Sequence, residues 1–129
     1  MATPSSIATA TSTAGTQDEL EMLRAEVAHY RDACRRVADV CEAAAAGDLE
    51  VRLVGFKNDG DLARIAGGVN HLLDVADAFV REAGAALEHA SAGQFFRRVL
   101  LRGMPGTYKR AAHIINSATD DMSRQAAEI

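Results

Sequence analysis

The stretches GDLEVRLVGFKNDGDLARIAGGVN (47–70) and GQFFRRVLLRGMPGTYKRAAHIIN (93–116) decide the fold, because they are one pattern written twice, 46 residues apart. Gly47 maps to Gly93, Arg52 to Arg98, Gly60 to Gly106, Arg64 to Arg110, Ala66 to Ala112 and Asn70 to Asn116. Apolar positions follow the same offset: Leu49 pairs with Phe95, Leu53 with Val99, Leu62 with Tyr108 and Val69 with Ile115. A period of this length is the signature of a duplicated supersecondary unit.

Each copy opens on a 14-residue connector, 47–60 or 93–106. The first alternates Leu49, Val51 and Leu53 with Asp48, Glu50 and Arg52 before turning polar. It reads as an extended linker with one apolar edge, a strand being the second reading. Outside the connectors, apolar residues step alternately by 3 and 4. Leu20, Leu23, Val27, Tyr30, Cys34, Val37, Cys41 and Ala44 form a first seam. Leu62, Ile65, Val69, Leu72, Ala76, Phe79, Ala83, Ala86 and Ala90 form a second, and Tyr108, Ala111, Ile115, Ala118 and Met122 a third. Such stepping averages the 3.5-residue repeat of a left-handed coiled coil.

Helix ends are marked as well. Asp18, Glu19 and Glu21 complement the dipole near the start of the first helix, and Gly47 is placed to cap its end. Asp59 or Asp61 is placed to cap the second helix, which is predicted to run unbroken over about residues 61–92. Gly67, Gly68 and Gly84 lie inside it and each costs about 1 kcal/mol against Ala. The third seam reaches the last residues without a cap, as expected of a helix cut within its length. Residues 1–16, uncharged and built from Ala, Ser, Thr and Gly, are expected to form a disordered tail.

The expected fold is therefore all-α: a parallel coiled-coil or four-helix-bundle homodimer, with two stacked units sharing a long middle helix. Unit one spans 17–74 and unit two 75–129. Fourteen extended residues reach roughly 45 Å, enough to return along four or five helical turns, so the two helices of a unit can lie parallel. Two such helices leave half of their apolar edge uncovered, which a second chain would close. Composition agrees. Tryptophan is absent and the aromatic residues are Phe56, Phe79, Phe95, Phe96, Tyr30 and Tyr108. Alanine-rich seams fill the narrow space between helices, and association is an expected source of stability in so small a chain.

Several function classes are disfavoured. The net charge is −4 with both signs interspersed, which argues against nucleic acid and anionic membrane as partners. No apolar run approaches the roughly 18 residues of a membrane span, and no secretory leader is evident, so a cytoplasmic location is expected. Cys34 and Cys41 lie two turns apart on one helix face, too far to bridge within the chain, and no zinc spacing is present.

The pattern of two amphipathic helices, a connector beginning Gly-Asp-Leu and an Asn near the middle of the second helix resembles the HAMP domain. The matching residues are Gly47-Asp48-Leu49, Asp59-Gly60-Asp61-Leu62 and Asn70 in unit one, and Gly93-Gln94-Phe95, Pro105-Gly106 and Asn116 in unit two. VNHLLDVADAFV (69–80) and AHIINSATDDM (112–122) resemble the region preceding the signalling domain of methyl-accepting chemotaxis proteins. The resemblance covers about residues 30–125. Unit two departs from it in lacking an acidic residue at the start of its second helix, and no membrane helix precedes unit one. It therefore implies tandem HAMP-like units in a soluble receptor, or an intermediate relay within one. It implies as partners a downstream receptor signalling domain and, through that, the chemotaxis kinase and its coupling protein. The methylated hairpin that meets the kinase is missing from this sequence.

The candidate functional residues lie on or beside the seams. Asn70 and Asn116 fall one position past Val69 and Ile115, near enough to the core to bond a connector backbone and help select between two packings. Leu49, Leu53, Phe95, Val99, Leu62, Ile65, Val69 and Ile115 are the accompanying packing residues. His29, His71 and His113 fall on outer faces and read as solvated, while His89 flanks the last core residue of the middle helix. Haem or another small ligand held by His71 or His89 defines a second functional reading, a helical sensor domain. A passive dimerisation adaptor is a third. Cys34 and Cys41 read as small core residues rather than a redox switch, and Phe95-Phe96 with Arg97-Arg98 as packing rather than a nucleic-acid patch. No nucleophile stands at a meaningful spacing from a base, and neither phosphate loop nor metal-ligand set is present, so no enzyme and no resident cofactor are expected.

Overall fold

The computed structural model describes residues 4–56 and 60–128, and its regular structure is entirely helical. Helices α1 (Pro4–Ala45), α2 (Asp61–Ser91) and α3 (Gly106–Glu128) are joined by the two connectors, and no strand occurs among the described residues. The chain forms two compact units, Met1–Cys41 and Glu42–Ile129.

The first unit is the long body of α1. Its helix begins at Pro4, within the stretch expected to be a disordered tail. Proline is favourable in a first helical turn, and extending an existing helix through Ala- and Thr-rich sequence avoids the cost of a new nucleus. Every described side chain from Thr13 through Asp32 is exposed in the single chain. That includes Leu20, Leu23, Val27 and Tyr30 of the first seam.

The second unit holds both connectors. At the end of α1 the Asp48 amide donates to the Ala43 carbonyl at 3.0 Å, and the Gly47 amide to that of Ala44 at 3.0 Å. At the end of α2 the Gln94 amide donates to His89 at 2.8 Å, and the Gly93 amide to Ala90 at 3.0 Å. These are two Schellman caps in the same register, and each needs a left-handed residue just past the helix. Glycine supplies it, at φ 107° in Gly47 and 78° in Gly93. The start of α2 differs from expectation. Its N-cap is Gly60, which has no side chain to offer, while Asp61 sits in the first turn and Asp59 lies outside the described residues.

The first connector is tied to α2, and the second runs back along α2 and α3. In the second copy, Phe96 stacks edge-on against His89 at 5.8 Å. Four residues on, the Leu100 amide reaches Glu82 near the middle of α2. The ring of Phe79 meets that of Tyr108 at 5.6 Å, and Ala86 packs with Ala112, so the later half of α2 and the early half of α3 run parallel. Val99 fills the space between them, completing a buried cluster with Ala86 and Ala112, bordered by Phe79, Leu101 and Ile115. Alanine on both helices is what lets a connector valine reach that depth.

Candidate functional site

The 46-residue repeat becomes chemistry where each connector meets its second helix. The Asn70 carboxamide faces the Leu53 peptide: the Leu53 amide donates to Asn70 Oδ1 and Asn70 Nδ2 donates to the Leu53 carbonyl, both at 2.8 Å. In the second copy the Val99 amide donates to Asn116 Oδ1 at 2.8 Å, and Asn116 Nδ2 donates to the Val99 carbonyl at 3.0 Å. A carboxamide carries donor and acceptor side by side, so it mimics a strand edge and satisfies both polar groups of one residue. The connector needs this because Leu53 and Val99 are buried, and an unpaired peptide beside them would be costly.

An ion pair accompanies each carboxamide, one residue upstream on the connector and one turn downstream on the helix. Arg52 reaches Asp74 at 2.9 Å, and Arg98 reaches Asp120 at 2.5 Å. Arg52 also donates to the carbonyls of Leu49 and Val51, both at 2.6 Å, which ties the connector backbone together. The equivalence of Arg52 and Arg98 was visible in the sequence; their acidic partners were missed. The signal that would have found them is the same offset, since Asp74 and Asp120 are also 46 apart.

The two latches differ in depth. Asn116 is only 5% exposed, whereas Asn70 is half-buried. Around the second latch Glu82 adds a further tie to α2, accepting from Arg97 at 3.1 Å and from the Leu100 amide at 3.4 Å. The residues three positions past the carboxamides, Leu73 and Thr119, are both buried. Thr119 satisfies its hydroxyl on the Ile115 carbonyl at 3.0 Å.

The packing residues divide into two stripes. Leu53, Leu62 and Val99 are buried, and Leu49, Phe95, Val69 and Ile115 half-buried. Ile65 is 44% exposed and Leu72 58% exposed in the single chain. The connector-facing stripe is the one beside the seam: Ala66 and Leu73 on α2, Ala112 and Thr119 on α3. The seam itself is therefore partly uncovered.

The histidines do not converge. His29, His71 and His113 are exposed. His89 has Nδ1 2.8 Å from the Ala85 carbonyl, a bond to its own helix. Among the described residues no three His, Cys, Asp or Glu side chains gather as a metal site would require. Cys34 and Cys41 are free thiols, both exposed in the single chain rather than buried. No helix among the described residues is long and apolar enough to cross a membrane.

The two copies thus share a helix–connector–helix arrangement closed by a carboxamide on a connector peptide. The chain is similar to a methyl-accepting chemotaxis protein of Paramagnetospirillum magneticum, with 36% identity over 89 residues. That match covers 69% of this chain and 20% of the relative, so the chain corresponds to about a fifth of that protein's length. The chain is accordingly related to a methyl-accepting chemotaxis protein. No protein-family model matches the chain, and no solved structure does.

Proposed function

We propose that this chain is a signal-relay module of a chemotaxis-type receptor, built from two HAMP-like units in a parallel homodimer. The observation that carries the reading is the same latch occurring twice, 46 residues apart, once on α2 and once on α3. A connector pinned to the helix that follows it makes each HAMP-like unit respond as one piece, and α2 is shared by both HAMP-like units. A displacement or rotation entering through α1 would reach α2 through the first unit and α3 through the second. The partly uncovered seam at Ile65 and Leu72 supports a second chain as the missing half of the core. The small seam residues Ala76, Ala83, Ala111 and Ala118 allow two packings that differ by a few kcal/mol, which a relay requires. The relative's name supports chemotaxis as the setting, with a downstream signalling domain, the kinase and its coupling protein as the output.

Sedimentation equilibrium of the full chain over a wide concentration range tests the assembly, with a dimer persisting at low concentration as the expected result. A stable monomer would sink the reading. The relay is tested in a hybrid receptor in which these residues replace the similar stretch of the relative. Asn70→Ala and Asn116→Ala should each bias the swimming response. Unchanged output and unchanged stability would remove the latch from the mechanism.

A further inference from the structure

We infer that the exposed body of α1 over residues 18–32 is a two-stranded parallel coiled coil with the same segment of a second copy of this chain, held in register by Glu19–Arg24 and Glu26–Arg31 pairs between chains. The inference rests on the dimeric reading above and says which part of it is a zipper and which part a bundle. Its first support is the single chain itself. Leu20, Leu23, Val27 and Tyr30 form a continuous apolar stripe, and each is 44% exposed or more. A helix with such a stripe and no cover is not a stable end state in water.

The second support is charge. Stepping along the seam puts Leu20, Val27 and Cys34 at heptad position a, and Leu23, Tyr30 and Val37 at d. The residues flanking the stripe are then Glu19 and Glu26 at g, and Arg24 and Arg31 at e. All four are exposed. In a parallel, in-register pair each g residue faces the e residue five positions later on the other chain, so both glutamates meet arginines. In an antiparallel pair g meets g and e meets e, which sets glutamate against glutamate and arginine against arginine. The charge pattern therefore selects both the partner and its direction.

The same positions show where the zipper ends. One heptad on, g is Ala33 and e is Ala38; the next g is Val40 and the next e is Ala45. Ala33 is already buried in the single chain. From residue 33 onward the flanks are apolar and small, as needed by a helix that takes neighbours on more than two sides. The change from charged to apolar flanks marks the passage from a two-stranded coil to the wider bundle, within one unbroken helix.

Cysteine trapping in the full chain tests this. In a Cys34→Ser, Cys41→Ser background, Val27→Cys places a thiol at a, and Ala25→Cys places one on the outer f face. Diamide, which accepts the two electrons and two protons released, should cross-link Val27→Cys at least tenfold faster than Ala25→Cys. Charge is tested by mixing a Glu19→Lys, Glu26→Lys chain with an Arg24→Glu, Arg31→Glu chain. Each alone should dimerise about tenfold more weakly, and the mixture should form the heterodimer in preference to either homodimer. Equal cross-linking at the two positions, or a statistical mixture of dimers, would overturn the zipper. If sedimentation still shows a dimer in that case, the relay dimer stands without it; a monomer overturns both.

Discussion

A single carboxamide satisfies one connector peptide in each unit, and the consequence of removing it follows from what remains behind. Asn116→Ala would leave the amide and carbonyl of buried Val99 without partners, and is expected to cost about 2–3 kcal/mol in urea unfolding. Asn70→Ala should cost less, because the half-buried first latch admits water to the Leu53 peptide. An equal loss at both sites would show that burial does not set the strength of the latch. The accompanying ion pairs are weaker levers. Arg98 and Asp120 are each about half exposed, so a double-mutant cycle on them should return under about 1 kcal/mol despite the short contact.

At the scale of the elements, α2 has two jobs and shows a different flank for each. Its early half offers Ala66, Asn70 and Leu73 to connector one, and its later half offers Glu82, Ala86 and His89 to connector two. Ala66, Asn70 and Leu73 lie one position past seam residues, whereas Glu82 and His89 lie one position before them and Ala86 on the seam itself, so one helix can serve two connectors. Its caps and glycines can be told apart by substitution. Gly93→Ala forces a side chain into the left-handed region and should lower the melting temperature, by about 1 kcal/mol of stability. Gly67→Ala should instead stabilise by up to about 1 kcal/mol, since the position is helical and exposed and an added methyl meets nothing within 4 Å. A loss at Gly67 would mean that this face is covered in the assembled protein.

At the scale of the whole molecule, the open seam is the feature that calls for a partner. Leu72→Lys alters a side chain that is 58% exposed in the single chain, so it should leave the latches intact. It should nevertheless abolish the dimer in sedimentation equilibrium, because a charge would then enter the shared core. A variant that still dimerises as tightly as the parent would place the interface elsewhere.

Local spacing and backbone freedom mark the helices from Asp18 onward, the cap at Gly47 and the equivalence of the connectors, and a one-dimensional pattern records both. The 46-residue offset also singled out Asn70 and Asn116, since two asparagines beside a seam at one repeat distance are hard to explain by helix propensity. Which connector peptide each asparagine bonds, Leu53 or Val99, is set only when the connector folds back. So are the Arg52–Asp74 and Arg98–Asp120 pairs, which lie 22 residues apart and meet only when a connector folds back. Helix at 4–16 came from extension of a neighbour rather than from any periodicity of its own. The choice of Ala66, Leu73, Ala112 and Thr119 as the connector's bed was likewise a tertiary matter. Seam spacing fixes one apolar face of a helix, and only the path of the connector decides which flank of that face it covers.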